Sequence, residues 1–153
     1  MNSLSQYIIE KLRINKDIKV GQEYNYHPKS KNELYFLIEK LIEERGNDAD
    51  LNDIDVSDIT DISRLFKYSE FNGDISKWDV SNVTNMEYTF YRSKFNKDIR
   101  KWDVSNVVSM RCMFCESEFN GDISNWNVSN VTTMSNMFKS SLLEKNPPSW
   151  YHE

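Results

Sequence analysis

Phe71-Asn72-Gly73-Asp74-Ile75-Ser76-Lys77-Trp78-Asp79-Val80-Ser81-Asn82-Val83 returns 24 residues later from Phe95, and again from Phe119. Trp102-Asp103-Val104-Ser105-Asn106-Val107 and Trp126-Asn127-Val128-Ser129-Asn130-Val131 align with it without a gap. A fixed period of this size marks a row of like units, none of which can bury its apolar face alone. Going back one period finds a weaker copy, with Leu51, Ile54, Val56, Ile59, Ile62 and Phe66 in register. Going forward lands on Trp150, preceded by Pro147 and Pro148, which lack the amide donors of a regular repeat. The chain therefore divides into residues 1–46, four repeats at 47–70, 71–94, 95–118 and 119–142, and a truncated fifth at 143–153.

Within a repeat, Trp78 and Val80 alternate with Lys77, Asp79 and Ser81, the two-residue period of a strand with one buried face. Met86 and Phe90, like Met110 with Phe114 and Met134 with Phe138, have the spacing of the inner side of a helical or 3-10 turn. Asn72, Asn96 and Asn120 sit at a turn whose next position reads Gly73, Lys97 and Gly121. That turn does not demand glycine, so asparagine is expected either in the left-handed conformation or bonded to nearby backbone. Asn82, Asn106 and Asn130 are expected to form a ladder that satisfies loop carbonyls and amides.

Ahead of the repeats, Ser30-Lys31-Asn32-Glu33 is a capping box that opens an apolar run through Ile42 and closes at Gly46. The spacing predicts a helix from Glu33 to Arg45, placed to cover the first repeat. A weaker box, Ser3 with Gln6, and a short strand between Ile14 and Val20 are further expectations.

The run Phe-Asn-x-Asp-Ile-x-x-Trp-Asp-Val-Ser-Asn-Val-Thr-x-Met, followed by Met-x-x-Met-Phe as in Met110 to Phe114, resembles the BspA-like leucine-rich-repeat family, also seen in mycoplasma surface lipoproteins. The resemblance covers roughly residues 47–142 and leaves the first 46 unexplained. Together with the strand and turn spacing it implies an α/β fold: a short right-handed leucine-rich-repeat-like solenoid with a helical N-terminal cap. It also implies protein-binding or adhesive roles and no enzyme. The chain departs from the family in its start, Met1 to Tyr7, which has no basic and apolar leader and no lipid-acceptor cysteine. A cytoplasmic address is expected, and a surface location only if a leader was removed.

The sequence carries 19 basic and 24 acidic residues, a net charge of -5, with 15 acids against 10 bases in residues 47–142. That balance argues against direct binding of a phosphate backbone, which requires clustered lysine and arginine. Cys112-Met113-Phe114-Cys115 is half of a zinc or redox site, and no second pair of ligands accompanies it in the repeats. Asp48-Ala49-Asp50-Leu51-Asn52-Asp53 opens like a calcium loop but lacks its sixth-position glycine and twelfth-position glutamate. The two sequons at Asn82 and Asn130 fall out of the repeat itself. No acid–base pair, nucleophile triad or phosphate loop is present, so neither an enzyme nor a cofactor is expected.

What remains is recognition of a protein partner. Outward positions stack into columns, Asp53, Lys77, Lys101 and Asn125 in one and Asp55, Asp79, Asp103 and Asn127 in the next. The turn side differs most between repeats, and Tyr88, Tyr91, Arg92 and Arg111 offer there the residue types that dominate interfaces. The acids from Asp48 to Asp61, with no base among them, suggest a second reading: a small acidic inhibitor, phage-encoded for instance, that blocks the basic channel of a nucleic-acid-handling enzyme. A self-assembling structural element is the third.

Overall fold

The computed structural model describes Gln6, Glu10 and residues 23–153, so the expectations for Ser3 and for Ile14 to Val20 lie outside the described residues. The repeats form four coils, at 47–70, 71–94, 95–118 and 119–142, each laid on the one before. Their aromatic side chains stack in columns through the middle. Phe66, Phe90, Phe114 and Phe138 follow one another at centroid separations of 5.5, 5.5 and 5.9 Å, all within 4° of parallel. Phe71, Phe95 and Phe119 form a second column at 6.4 and 6.2 Å. Trp78 lies on Trp102 at 6.4 Å and 2°, and Trp126 on Trp150 at 6.4 Å.

The expected α/β class does not form. Among the described residues the coils contain no sheet, and pairing is confined to isolated parallel bridges such as Asp61 to Asn85, Asn85 to Ser109 and Ser109 to Thr133. The molecule is therefore not a strand-rich leucine-rich-repeat solenoid. The cause is the polar residues between the apolar ones. Asp74 accepts a hydrogen bond from the amide of Ser76 at 2.9 Å, Asp79 from Ser81 at 3.1 Å, and Asn85 from Glu87 at 2.9 Å. Each such bond bends the chain and takes up an amide that a ladder would need. Four-residue backbone turns follow directly, Trp78 N–H to the Ile75 carbonyl at 3.2 Å and Val83 to Val80 at 2.9 Å. Trp78 and Val80 are buried while Lys77 and Asp79 are exposed, but the alternation runs round corners and not along a strand.

The Met86 to Phe90 segment is likewise neither an α-helix nor a 3-10 helix. Tyr88 and Arg92 have φ of 56° and 51°, and the same left-handed backbone recurs at Arg64, Cys112 and Asn136 and at Tyr68, Glu116 and Ser140. Alternate amides then point to the next coil: Met86, Tyr88 and Phe90 donate to the carbonyls of Ser109, Arg111 and Met113, each at 2.9 Å. The amides between them stay at home, Thr89 and Tyr91 donating to Met86 and Tyr88. Backbone donors are thus shared between neighbouring coils and local turns, which leaves few unpaired inside.

Asn72, Asn96 and Asn120 are not left-handed, and the side chains of the first two bond to backbone instead. The amide of Asn96 donates to the side-chain oxygen of Asn72 at 2.8 Å, and Asn120 to Asn96 at 2.9 Å. The second asparagine column does form a ladder, the side-chain amides of Asn82, Asn106 and Asn130 donating to the carbonyls of Ser57, Ser81 and Ser105.

The α-helix runs Lys31–Arg45, with the Ser30 hydroxyl accepting from the Glu33 amide and Gly46, at φ 90°, donating back to Ile42. The Glu33 carboxylate accepts from the amide of Lys29 instead of Ser30, closing the box one residue further out. Leu34, Leu37, Ile38 and Leu41 enter the same core as Leu51 and Ile54 of the first coil. Tyr26 adds a parallel bridge to Ile54, an edge that the sequence pattern did not reveal. No helix among the described residues is long and apolar enough to cross a membrane.

Candidate recognition face

The turn side of the first three coils carries a cluster of aromatic and cationic side chains. The 24-residue register sets Arg64 beneath Tyr88, Lys67 beneath Tyr91 and Tyr68 beneath Arg92. Tyr68 and Tyr91 meet edge to face at 5.4 Å, and Tyr88 and Tyr91 at 5.7 Å. Arg64 lies 5.2 Å and Arg111 6.0 Å from the centre of the Tyr88 ring, and Lys67 stands 5.0 to 5.9 Å from all three tyrosines. Arg92 is 5.4 Å from Tyr91 and 6.0 Å from Tyr68. Tyr68 is 57% exposed. Arg64, Tyr68, Tyr88 and Arg92 leave from left-handed backbone.

Glu116 organises one edge of the cluster. Its carboxylate pairs with the Arg92 guanidinium and accepts from the Tyr91 hydroxyl at 3.3 Å. The Arg92 hydrogen bond holds the Glu116 carboxyl below the ordinary value, and Arg92 is raised by the same contact. The Tyr88 phenol is raised, first by its hydrogen bond with Cys112 and then by burial.

Tyr88, Tyr91, Arg92 and Arg111, singled out from sequence, come together here. Arg64, Lys67 and Tyr68 complete the face and were missed. Subtracting one period from Tyr88, Tyr91 and Arg92 would have found them. Asp55, Asp79 and Asp103 lie in another part of the coil and serve as turn residues, bonded to the amides of Ser57, Ser81 and Ser105. Lys77 and Lys101 are exposed beside Ser76 and Asp98 round a shallow depression of ≈180 Å³.

The acidic run Asp48 to Asp61 is largely engaged. Asp53 takes a two-pronged contact from Arg45 at 3.0 Å, Asp61 pairs with Lys31 and Asp58 with Lys29, while Asp55 faces the buried His27 at 3.4 Å. The acids thus hold residues 27–45 against the first coil. Cys112 and Cys115 are buried free thiols. Burial, then the neighbouring Cys112 and Glu116, push Cys115 up to about 11, so it stays a thiol at neutral pH.

Over residues 36–150 the chain matches the family described as Mycoplasma protein of unknown function, DUF285. No curated protein and no solved structure matches it.

Proposed function

We propose, for a chain that belongs to the DUF285 family, a non-catalytic role in recognising another protein through the face built by Tyr68, Tyr88 and Tyr91. The observation that carries this reading is the edge-to-face packing of three partly exposed tyrosines at 5.4 and 5.7 Å with four cations around them. Tyrosine and arginine contribute large contact area with few rotatable bonds, and such clusters dominate binding energy at protein interfaces. The resemblance of the repeat to the BspA-like type, with its adhesive and protein-binding roles, points the same way. A cytoplasmic setting fits, since there Cys112 and Cys115 remain reduced.

The acidic-inhibitor reading is the weaker one. Charge mimicry needs carboxylates free to meet a basic channel, and Asp53, Asp58 and Asp61 are occupied by Arg45, Lys29 and Lys31. Asp79 and Asp103 are bound into turns. Nothing among the described residues favours self-assembly over recognition of a different protein.

The test is capture of a binding protein from the native cell by the wild type and by Tyr88→Ala with Arg92→Ala. The double variant is expected to lose capture while unfolding at a similar temperature. Equal capture by both proteins rejects the face.

A further inference from the structure

Several cations in this acidic chain have carboxylate partners: Lys29 with Asp58, Lys31 with Asp61, Arg45 with Asp53, Arg92 with Glu116, Lys94 with Glu118 and Arg100 with Asp98. Around Tyr88 three cations without such a partner gather. Arg64, Lys67 and Arg111 stand 5.2, 5.9 and 6.0 Å from one ring, and among the described residues none of them pairs with a carboxylate. The neighbouring Glu87 accepts from the Ser109 hydroxyl at 2.6 Å. Three positive charges therefore converge on a single ring with none of them in an ion pair, in a molecule whose net charge is -5.

We infer that this spot is an anion seat for an acidic segment of the partner protein, whose Asp or Glu carboxylates meet Arg64, Lys67 and Arg111 while its apolar side chains lie on Tyr68 and Tyr91. The inference rests on the recognition face proposed above and names what it takes. Guanidinium groups fork onto carboxylates, and cations already packed on an aromatic ring lose little freedom when they do so. A nucleic acid is the poorer fit. A phosphate backbone needs a track of many cations, whereas here three converge on one ring.

Three probes test this with the full chain: a short peptide alternating glutamate with leucine, its lysine-for-glutamate counterpart, and single-stranded oligothymidylate. The acidic peptide is expected to bind saturably in an amide NMR titration, with the largest shifts at Arg64, Tyr88 and Arg111, and to weaken as salt is raised. Arg64→Glu with Arg111→Glu should weaken it by at least about tenfold and let the lysine peptide bind instead. Both substitutions suit the backbone, because glutamate already stands in a left-handed position at Glu116 and in the slot of Arg111 at Glu87. An unchanged unfolding temperature checks that the variant folds. The inference is overturned if the wild type prefers the lysine peptide or the oligonucleotide, if the shifts centre elsewhere, if the acidic peptide fails to saturate, or if charge reversal has no effect. Should it fail while Tyr88→Ala with Arg92→Ala still abolishes capture of the native partner, the recognition face stands and only its acidic preference falls.

Discussion

The indole N–H of Trp102 donates to the backbone carbonyl of Ile75 at 3.1 Å, one coil back. Trp78 makes the same bond to Leu51, Trp126 to Ile99 and Trp150 to Ile123. Each tryptophan thus fills the core with its ring and pins its coil to the preceding one with its only polar atom. Trp102→Phe keeps most of the ring but removes one of the two donors to the Ile75 carbonyl, which still accepts from the Trp78 amide, at an expected cost of about 0.5–1.5 kcal/mol. Trp102→Ala also opens a cavity and should cost about 3–5 kcal/mol. Urea unfolding of the two variants measures both, and a phenylalanine variant as stable as wild type would show that the bond contributes nothing.

Acid should loosen the junction between the first coil and the helix. Burial works to raise the carboxyls of Asp53 and Asp61, but hydrogen bonds and cations outweigh it: Arg45 and Asn25 for Asp53, Ser63 and Lys31 for Asp61. Both end below their ordinary 3.8. A depressed carboxyl contributes stability that is complete above the unfolded value and disappears as pH falls through the folded one. The unfolding temperature is therefore expected to fall as pH drops below about 4. Arg45→Ala should cost no more than about 1 kcal/mol at neutral pH, since the pair is partly solvated. The gap between variant and wild type should close in strong acid, as thermal melts across pH will show.

Relief of backbone strain should stabilise the protein at Ser140. This exposed serine has φ 56°, where a residue with a β-carbon is penalised by about 1–2 kcal/mol and glycine is not. Part of the gain is lost to the greater freedom of glycine in the unfolded chain. Ser140→Gly is expected to add up to about 1 kcal/mol, seen as a higher unfolding temperature. A lower one would contradict the strained backbone.

Gly73 makes the opposite case. A β-carbon there would stand 2.0 Å from the carbonyl oxygen of Ala49 in the coil below. Gly73→Ala must push two coils apart and is expected to cost about 1–3 kcal/mol in chemical unfolding. Lys97 occupies the equivalent slot one coil later, so the demand for glycine belongs to the first junction and not to the turn itself.

The stacking was legible in the sequence because Trp78, Trp102 and Trp126 and the phenylalanines repeat without a gap, and identical side chains at a fixed period have to meet. The helix was legible from Ser30, Glu33 and Gly46. The absence of a sheet was not. Alternation of Trp78, Asp79 and Val80 suits a strand, and only the competing hydrogen bonds of Asp74, Asp79 and Asn85 to amides two residues on decide for turns. The left-handed positions were hidden for a different reason. Their occupants are Arg64, Tyr88 and Cys112 in one column and Tyr68, Arg92 and Glu116 in the other, with no glycine to mark them. Bonding to the next coil imposes the conformation there, against local preference.

That indifference to residue type separates the inscription from the page. Arginine, tyrosine, cysteine and asparagine all occupy one left-handed column with the same backbone, so evolution can rewrite what each level of the surface displays without disturbing how the levels fit. A new surface pattern needs only new letters at these positions, and existing repeats already show which ones the backbone tolerates.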